Sequence, residues 1–476
     1  MMNATPKPAR VYHPNALLAL LGDRGVLTQE ELDNHGGLPY FRACLPLFIA
    51  FASNTSLMSL EIATHDFSSH MLFATAEALK RNASLRKLKM VFSMATTDDV
   101  GVAIAEALVQ NATLQECHVN FDESTVGDVT GVALAAVIKH NATLKGYCIA
   151  YGAGTTDESG LAMAEGLKHN ATLQFFSVLM SFSGFSGLTG VAMAGALEQN
   201  ATLKKFEVFF HGDHEEEDSS GVAIAAALMQ NTTLEECAVY VGWWGDEVGL
   251  AMAEALRINA ALQTYTMTWG SYMSDDTGVA MAAALTQNTT LQKYAMDSGY
   301  GMGDRTWMAM AEALKQNATL QALSITGCDD NPCEHETYVA MADAIKQNTT
   351  LKYFSVDCTC VDKEFALVQA VAQAREHNVT LQAFSTFLLA HAPALWPPIT
   401  DMLDMLQRNQ EISAQWRSLV QLAKPKMNTG FHSLVELCFK RKLFSFFLPA
   451  SCVWHPFADS RAVATPEVGP AQAVKD

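Results

Sequence analysis

One motif recurs along most of this 476-residue chain: a run of small residues such as Gly-Val-Ala-Met-Ala-x-Ala-Leu, then Asn-x-Thr-Leu, then a short alternating segment. Its asparagines return every 28 to 31 residues, at Asn54, Asn82, Asn111, Asn141, Asn170, Asn200, Asn231, Asn259, Asn288, Asn317, Asn348 and Asn378. Self-similarity at such a period indicates a solenoid, in which each unit buries its apolar face only against its neighbours. The repeat therefore decides the domain organisation more firmly than chain length does.

Residues 98–122 show what one unit encodes. A helix is predicted to begin at Asp98-Asp99, whose carboxylates can cap free N–H groups. Its apolar stripe has the i, i+3, i+4, i+7 spacing of one helix face and consists of Gly101, Ile104, Ala105 and Leu108. Asn111 is predicted to end the helix, because asparagine tolerates the left-handed conformation. A strand follows from Leu114, which we number position 1, with apolar residues at positions 4 and 6.

Stacking such units places all strands in one parallel sheet and all helices outside it. Strands lie about 4.8 Å apart, whereas packed helices need about 8–10 Å, so the stack is expected to bend with the sheet on its inner wall. The predicted fold is an α/β leucine-rich-repeat solenoid, a horseshoe with an inner parallel sheet, outer helices and about twelve repeats.

The motifs at residues 99–114 and 306–320 resemble the ribonuclease-inhibitor-like class of leucine-rich repeats, which is also found in the repeat domains of NOD-like receptors. More distantly, they resemble tropomodulin. The resemblance runs through residues 53–390 and implies a protein-binding solenoid. This chain departs from the class at position 9, where the usual asparagine that ties turns together is replaced by residues such as Asp122, Gly152 and His211. Position 11, usually apolar, is often polar or glycine, so irregular ascending loops are expected.

Four parts are predicted along the chain. Residues 1–52 form an N-terminal cap, residues 53–390 the solenoid, residues 391–456 a helical C-terminal cap and residues 457–476 a disordered tail. Exposed solenoid ends need such caps to cover their open core.

The net charge of −19 argues against nucleic-acid binding, which needs clustered Lys and Arg. It favours a partner with a basic surface or none. The sequence has no apolar run long enough for a transmembrane segment, and its ten cysteines are irregularly spaced. We therefore predict a cytoplasmic protein. The Asn-x-Thr matches are interpreted as helix ends rather than glycosylation sites, and the oligomeric state is left open.

The inner wall of the sheet is the predicted binding surface. Positions 4 and 6 face the core, so positions 3, 5 and 7 face the concave side. Exposed aromatic residues beside mixed charges have the composition of binding hot spots. The predicted binding residues are Phe175, Phe209, Tyr240, Glu116, His118, Lys205, Glu207, Glu236 and Lys293. The alternative is that these large side chains only cover their neighbours on a wide sheet.

A second surface is predicted where the helices begin. Acidic pairs recur there, including Asp98-Asp99, Asp157-Glu158, Asp246-Glu247 and Asp275-Asp276. Stacked repeats would bring these pairs into one acidic edge, suited first to capping helices and second to a basic partner.

A zinc site is the one metal centre that the sequence suggests. Its candidate ligands come from adjacent turns and are Cys328, Cys333, His335, Cys358 and Cys360. Thiolate and imidazole ligands suit tetrahedral zinc, but the spacing is that of no standard finger, and simple packing of free cysteines is the competing interpretation.

These features together predict a non-enzymatic scaffold that binds another protein through the sheet and the acidic edge. No phosphate-binding loop, Gly-x-Ser-x-Gly or His-Glu-x-x-His motif occurs. Two alternatives stay open. One is a leucine-rich-repeat regulator of a small GTPase, although those usually have an acidic tail and residues 458–476 are nearly neutral. The other is an actin pointed-end cap of tropomodulin type, although only about 50 residues precede the first repeat for its helical arm.

Overall fold

The computed structural model describes residues 51–64, 67–180, 184–210, 218–241, 244–268, 273–297, 301–326, 334–356 and 383–386. The chain divides into two units, Met1–Leu388 and Leu389–Asp476, and all described residues lie in the first. Both predicted caps, apart from residues 51 and 52, and the predicted tail lie outside the described residues.

Strands and helices alternate through this unit. The strands are β1 Ser59–Ala63, β2 Lys87–Val91, β3 Glu116–Asn120, β4 Gly146–Ala150, β5 Phe175–Met180, β6 Lys205–Phe210, β7 Glu236–Val241, β8 Thr264–Thr268, β9 Lys293–Asp297, β10 Ala322–Thr326, β11 Tyr353–Val356 and β12 Ala383–Thr386. The described helices are α1 Ser69–Arg81, α2 Asp98–Gln110, α3 Asp128–His140, α4 Asp157–His169, α5 Gly187–Gln199, α6 Asp218–Gln230, α7 Asp246–Ile258, α8 Asp275–Gln287, α9 Asp304–Gln316 and α10 His335–Gln347.

The strands form one parallel sheet in the order β1 to β12, so every strand pairs with its sequence neighbours. One strand follows each of the twelve asparagines, and equivalent positions pair across the sheet, as in Lys205 with Glu236. Parallel neighbours joined by right-handed crossovers place their helices on one side of the sheet. The predicted α/β leucine-rich-repeat solenoid is confirmed. Among the described residues, no helix is long and apolar enough to cross a membrane.

The asparagine ends each helix, but not in the predicted way. Asn111 has φ −71° and ψ 121°, which is extended backbone rather than the left-handed conformation. Its side-chain Oδ1 instead accepts the N–H groups of Thr113 and Leu114, both at 2.9 Å. The prediction of a left-handed cap is therefore wrong, because the side chain itself turns the backbone into the next strand.

The same side chain also ties each repeat to the one before it. The Nδ2 of Asn111 donates to the carbonyl oxygens of Leu79, at 2.7 Å, and Asn82, at 3.2 Å. Equivalent bonds to the preceding repeat come from Asn82, Asn141, Asn170, Asn200, Asn231, Asn259, Asn288, Asn317 and Asn348. These amides are buried, so the nitrogen that glycosylation would modify is already committed to the fold. This ladder supplies what position 9 lacks.

A second link between repeats lies at the opposite end of the helices. The first acidic residue of α7, Asp246, accepts the backbone N–H of Ser274 at 2.8 Å and the hydroxyl of Thr277 at 2.5 Å, both in the next repeat. We call this arrangement the carboxylate clamp. It recurs from Asp98, Asp128, Asp157, Asp275 and Asp304. These aspartates were expected to cap their own helix, but they cap the following one.

A helical glycine makes the clamp possible. In α7, a Cβ on Gly249 would lie 2.2 Å from Cγ2 of Thr277, the residue that donates to the clamp. The same contact recurs between Gly101 and Thr130, and between Gly278 and Thr306. Glycine at this site therefore lets the next helix approach closely enough for its hydroxyl to reach the aspartate.

The core fills the space between sheet and helices. Position 8 joins positions 4 and 6 inside it, and the position-8 rings of Phe92 and Phe121 stack at 4.0 Å. Where position 11 is polar or glycine, an apolar residue further along the loop is buried, such as Val126, Phe185 or Met302. The ascending loops are thus irregular, because the apolar residue that fills the core there comes later in the chain than position 11.

The contact between Gly249 and Thr277 predicts a cost for adding one methyl group. Gly249→Ala should lower the free energy of unfolding by about 1–3 kcal/mol, because overpacking outweighs the gain in helix propensity. Gly195→Ala is the control, since nothing lies within 4 Å of its added Cβ, and it should be neutral or stabilising by up to about 1 kcal/mol. Urea unfolding followed by circular dichroism measures both, and equal effects would contradict this packing.

The carboxylate clamp predicts a pH-dependent contribution to stability. Burial alone would raise the pKa of Asp246, but hydrogen bonds from Thr277 and Ser274 more than offset this and lower it. Thr277→Val keeps the shape of the side chain and removes the hydroxyl. We therefore expect it to lower the free energy of unfolding by about 1.5–3 kcal/mol at neutral pH.

Because the folded-state pKa is depressed, this contribution is present above about pH 4 and is lost as pH falls further. The deficit of Thr277→Val should therefore shrink in acid. Thr286→Val, on the same helix, loses only a bond to its own helix carbonyl at Ala282 and should change stability by less than about 0.5 kcal/mol. A deficit that is independent of pH would contradict the role of the ionised carboxylate.

Candidate functional site

The candidate site is the sheet face, by which we mean the face of the sheet turned away from the helices. Along β5, burial alternates: Phe176, Val178 and Met180 are buried, whereas Phe175, Ser177 and Leu179 are only partly covered. Positions 3, 5 and 7 therefore lie on the sheet face, because successive side chains of a strand point to opposite sides.

Strands β5 to β7 bring six of the predicted residues together. The rings of Phe209 and Tyr240 stack in parallel with their centroids 4.0 Å apart. Both are partly exposed, and Leu179, which sequence reasoning missed, pairs in register with Phe209. We call this group, listed here in full, the aromatic patch: Phe175, Leu179, Lys205, Glu207, Phe209, Glu236 and Tyr240.

Lys205 interacts with residues of the patch on all three strands, β5, β6 and β7. Its Nζ lies 2.8 Å from the carboxylate of Glu207 and 3.4 Å from that of Glu236. It also lies 5.0 Å from the centroid of the Phe175 ring, within cation–π range. Hydrogen-bonded charges of this kind hold the neighbouring rings in defined positions.

Glu207 differs from its prediction as an exposed binding residue. It is 1% exposed, although it stands at position 5 of the sheet face. Its ion pair with Lys205 compensates a carboxylate that would otherwise be costly to bury. Glu207 therefore lies beneath the exposed side chains of the patch, and position parity alone could not reveal its burial.

Glu116 and His118 belong to a charged group on β1 to β4, which adjoins the patch because Gly146 lies between Glu116 and Phe175. Glu116 pairs with Lys87 at 2.6 Å, and Lys89 pairs with Glu61 at 2.6 Å. His118 lies beside Lys89 on one side and Cys148 on the other. Burial lowers the pKa of His118 to about 4, and the Lys89 charge adds to this while Glu61 opposes it. His118 is thus neutral at physiological pH.

Lys293 stands apart on β9, two strands beyond β7, and is exposed. Sequence reasoning missed Tyr353, which occupies position 3 of β11 and is 38% exposed. The nine predicted residues therefore form one compact cluster, one charged group and one isolated lysine. The sequence did indicate Tyr353, because it stands at position 3 of its own repeat, as Phe175 does in another.

The acidic edge is only partly available to a partner. The first member of each described pair, such as Asp98 or Asp157, is held in a carboxylate clamp. The second members Asp99, Glu158 and Glu247 are exposed, whereas Asp276 pairs with Arg305 at 3.1 Å. The acidic edge also includes, by its place in the repeat, the sequence runs Glu215-Glu216-Glu217 and Asp329-Asp330, which lie outside the described residues.

The predicted zinc ligands cannot be placed. Cys328, Cys333, Cys358 and Cys360 lie outside the described residues, as does the side chain of His335. Within the described ranges, no group of three or more His, Cys, Asp and Glu residues is arranged to hold a metal ion.

No protein-family model and no curated protein matches this sequence. Among solved structures, a chain of the yeast Rad7–Elc1 complex aligns over 79% of this chain and 87% of its own, with 14% identity and a TM-score of 0.47. Actin-binding site 2 of leiomodin-1 aligns over 33% of this chain and 89% of its own, with 19% identity and a TM-score of 0.28. At these scores neither likeness bears on function.

The environment of His118 predicts its titration. The His118 imidazole should titrate near pH 4, because burial and Lys89 disfavour the imidazolium. Between pH 6.5 and 4 the unfolded chain binds a proton on His118 that the folded chain does not, so this residue reduces stability as pH falls. NMR titration gives the midpoint, and His118→Gln should lose less stability than wild type over that window. A midpoint near 6.5 would contradict this environment.

Proposed function

We propose that the chain is a non-enzymatic scaffold that binds another protein through the aromatic patch of the sheet face. The observation that carries the proposal is the partly exposed Phe209–Tyr240 stack, held beside the Lys205 ion-pair network. Rigid aromatic rings are the commonest anchors of protein interfaces, because they bury a large area and lose little conformational freedom. We further propose that its repeats belong to the ribonuclease-inhibitor-like class.

Preorganisation supports this function. Lys205 is enclosed by Phe175, Glu207 and Glu236, so it is already ordered before any partner arrives. A surface ordered in advance loses less conformational entropy on binding. The mechanism would be complementarity of shape and charge, without covalent chemistry.

The acidic edge would add a preference for a basic partner. Its exposed carboxylates, Asp99, Glu158 and Glu247, repeat along one edge of the stack and would raise the rate of encounter with a positively charged surface. Their contribution would weaken with salt, whereas that of the aromatic patch would not.

The test compares two aromatic variants. Phe209→Ser/Tyr240→Ser removes the stack and leaves Phe175 beside Lys205, so the ion-pair network keeps its support. We expect affinity for the partner to fall by about 30-fold or more, the effect of losing a hot spot of about 2 kcal/mol. Affinity capture from native lysate at physiological salt, with mass spectrometry, identifies the protein lost.

Tyr353→Ser is the matched control, because it removes a sheet-face aromatic residue outside the patch. It should retain the captured protein, and circular dichroism should show both variants folded. Equal capture by wild type and the double variant would refute the aromatic patch as the binding site. Loss of fold in the double variant would instead show that the stack belongs to the core.

A further inference from the structure

A groove of about 440 Å³ crosses the sheet where β9, β10 and β11 begin. We call it the strand-start groove. Its lining comes from three consecutive repeats and consists of Gln292, Gln321, Lys352 and the Thr and Ala residues of the turns before these strands. The groove is open to solvent rather than enclosed, and the described residues that line it include no acid.

The three long side chains of the groove form a hydrogen-bonded ladder along position 2. Nζ of Lys352 donates to Oε1 of Gln321 at 2.9 Å, and Nε2 of Gln321 donates to Oε1 of Gln292 at 3.4 Å. An ammonium group can only donate, so Lys352 fixes the orientation of Gln321 and, through it, that of Gln292. Both ends of the ladder therefore present N–H donors, which suit a ligand that carries acceptor groups.

The lysines of this region lack the glutamate partners that lysines have elsewhere on the sheet. At position 2 of β6 and β7, Lys204 pairs with Glu235 of the next repeat at 2.8 Å. The repeat of β10, by contrast, has no charged residue at positions 2 and 3. Within the described part of the chain, no carboxylate pairs with Lys352 or with Lys293, which is exposed and directly follows Gln292. An acid for these two lysines can therefore come from a ligand.

We propose that the strand-start groove binds an acidic segment of a partner protein, with one carboxylate on Lys352 and a second on Lys293 beside Gln292. The two lysines stand two strands apart, a separation of about 10 Å. A polyproline II segment has three residues per turn and rises about 3.1 Å per residue, so acids three residues apart share one side at a similar distance.

Two observations favour a protein segment over other anions. Sites for small molecules enclose most of the ligand surface, whereas this groove is open and extends over three repeats. A nucleic acid would meet repulsion from a chain with a net charge of −19. Two lysines without an arginine suit separate carboxylates better than a row of phosphates.

The strand-start groove is independent of the proposed function. The aromatic patch ends at β7 and the groove begins at β9, so each can be altered without the other. The groove also lies beyond the helix ends, whereas the acidic edge lies where the helices begin. The two ends of the helices would therefore attract partner segments of opposite charge.

Fluorescence polarisation with the full chain and a short peptide tests the proposal. The probe is Ser-Glu-Pro-Pro-Glu-Ser with blocked ends and a neutral dye, because its acids stand three residues apart. Wild type should bind it, and the affinity should fall as salt rises, since the attraction is electrostatic. Ser-Glu-Glu-Pro-Pro-Ser has the same composition with adjacent acids and should bind about threefold more weakly or worse.

The decisive variant is Lys293→Gln/Lys352→Gln, which should lower the affinity for the probe by about tenfold or more. Lys139→Gln/Lys145→Gln is the matched control, because it removes two exposed lysines next to β4 and gives the same net charge. It should bind like wild type. Phe209→Ser/Tyr240→Ser should also bind like wild type, which separates the groove from the aromatic patch. Circular dichroism establishes that each variant is folded.

Several results would overturn the proposal. One is a wild type that binds neither peptide at low salt. Equal losses in the two lysine variants would show that only net charge matters, and loss in the aromatic variant would transfer the peptide to the aromatic patch. Equal affinity for the two peptides would contradict the spacing of the two lysines. Tighter binding of a short oligonucleotide would refute the choice of a protein segment as the ligand.

Discussion

The repeated asparagine amide is the interaction on which the rest of the structure depends. Its oxygen turns the chain from helix into strand, while its nitrogen reaches the carbonyl groups of the repeat before it. Both events occur at one buried side chain, so the start of each strand is set relative to the start of the previous one. Position-for-position register across twelve strands follows from this geometry.

At the opposite end of each helix, a different set of hydrogen bonds joins adjacent repeats. Adjacent helices are joined by a hydrogen bond between an aspartate of one repeat and a hydroxyl of the next. A glycine allows the close approach that this bond needs, as in Asp246, Thr277 and Gly249. Unsatisfied N–H groups at a helix start need such partners. The consequence for function is that many acids of this −19 chain serve the fold, and fewer remain to attract a partner.

Two surfaces of the solenoid lie away from these bonds between repeats, namely the sheet face and the outer side of the helices. The sheet face combines an aromatic stack with charges that are largely paired across neighbouring strands. The outer side of the helices carries exposed apolar residues such as Leu188 and Val191 beside charged ones such as Glu198.

Much of this could be predicted from sequence, because each repeat encodes its own strand and helix and stacking follows from the period. The twelve strands, the inward side of positions 4 and 6 and the clustering of Phe209 with Tyr240 all depend on period and parity alone. What only the tertiary structure decided involves a neighbouring repeat. The partners of the Asn111 amide nitrogen, the partner of Asp246 and the burial of Glu207 depend on atoms about 30 residues away or on an adjacent strand. Local sequence sets the element, and contact between repeats sets the role of each polar side chain.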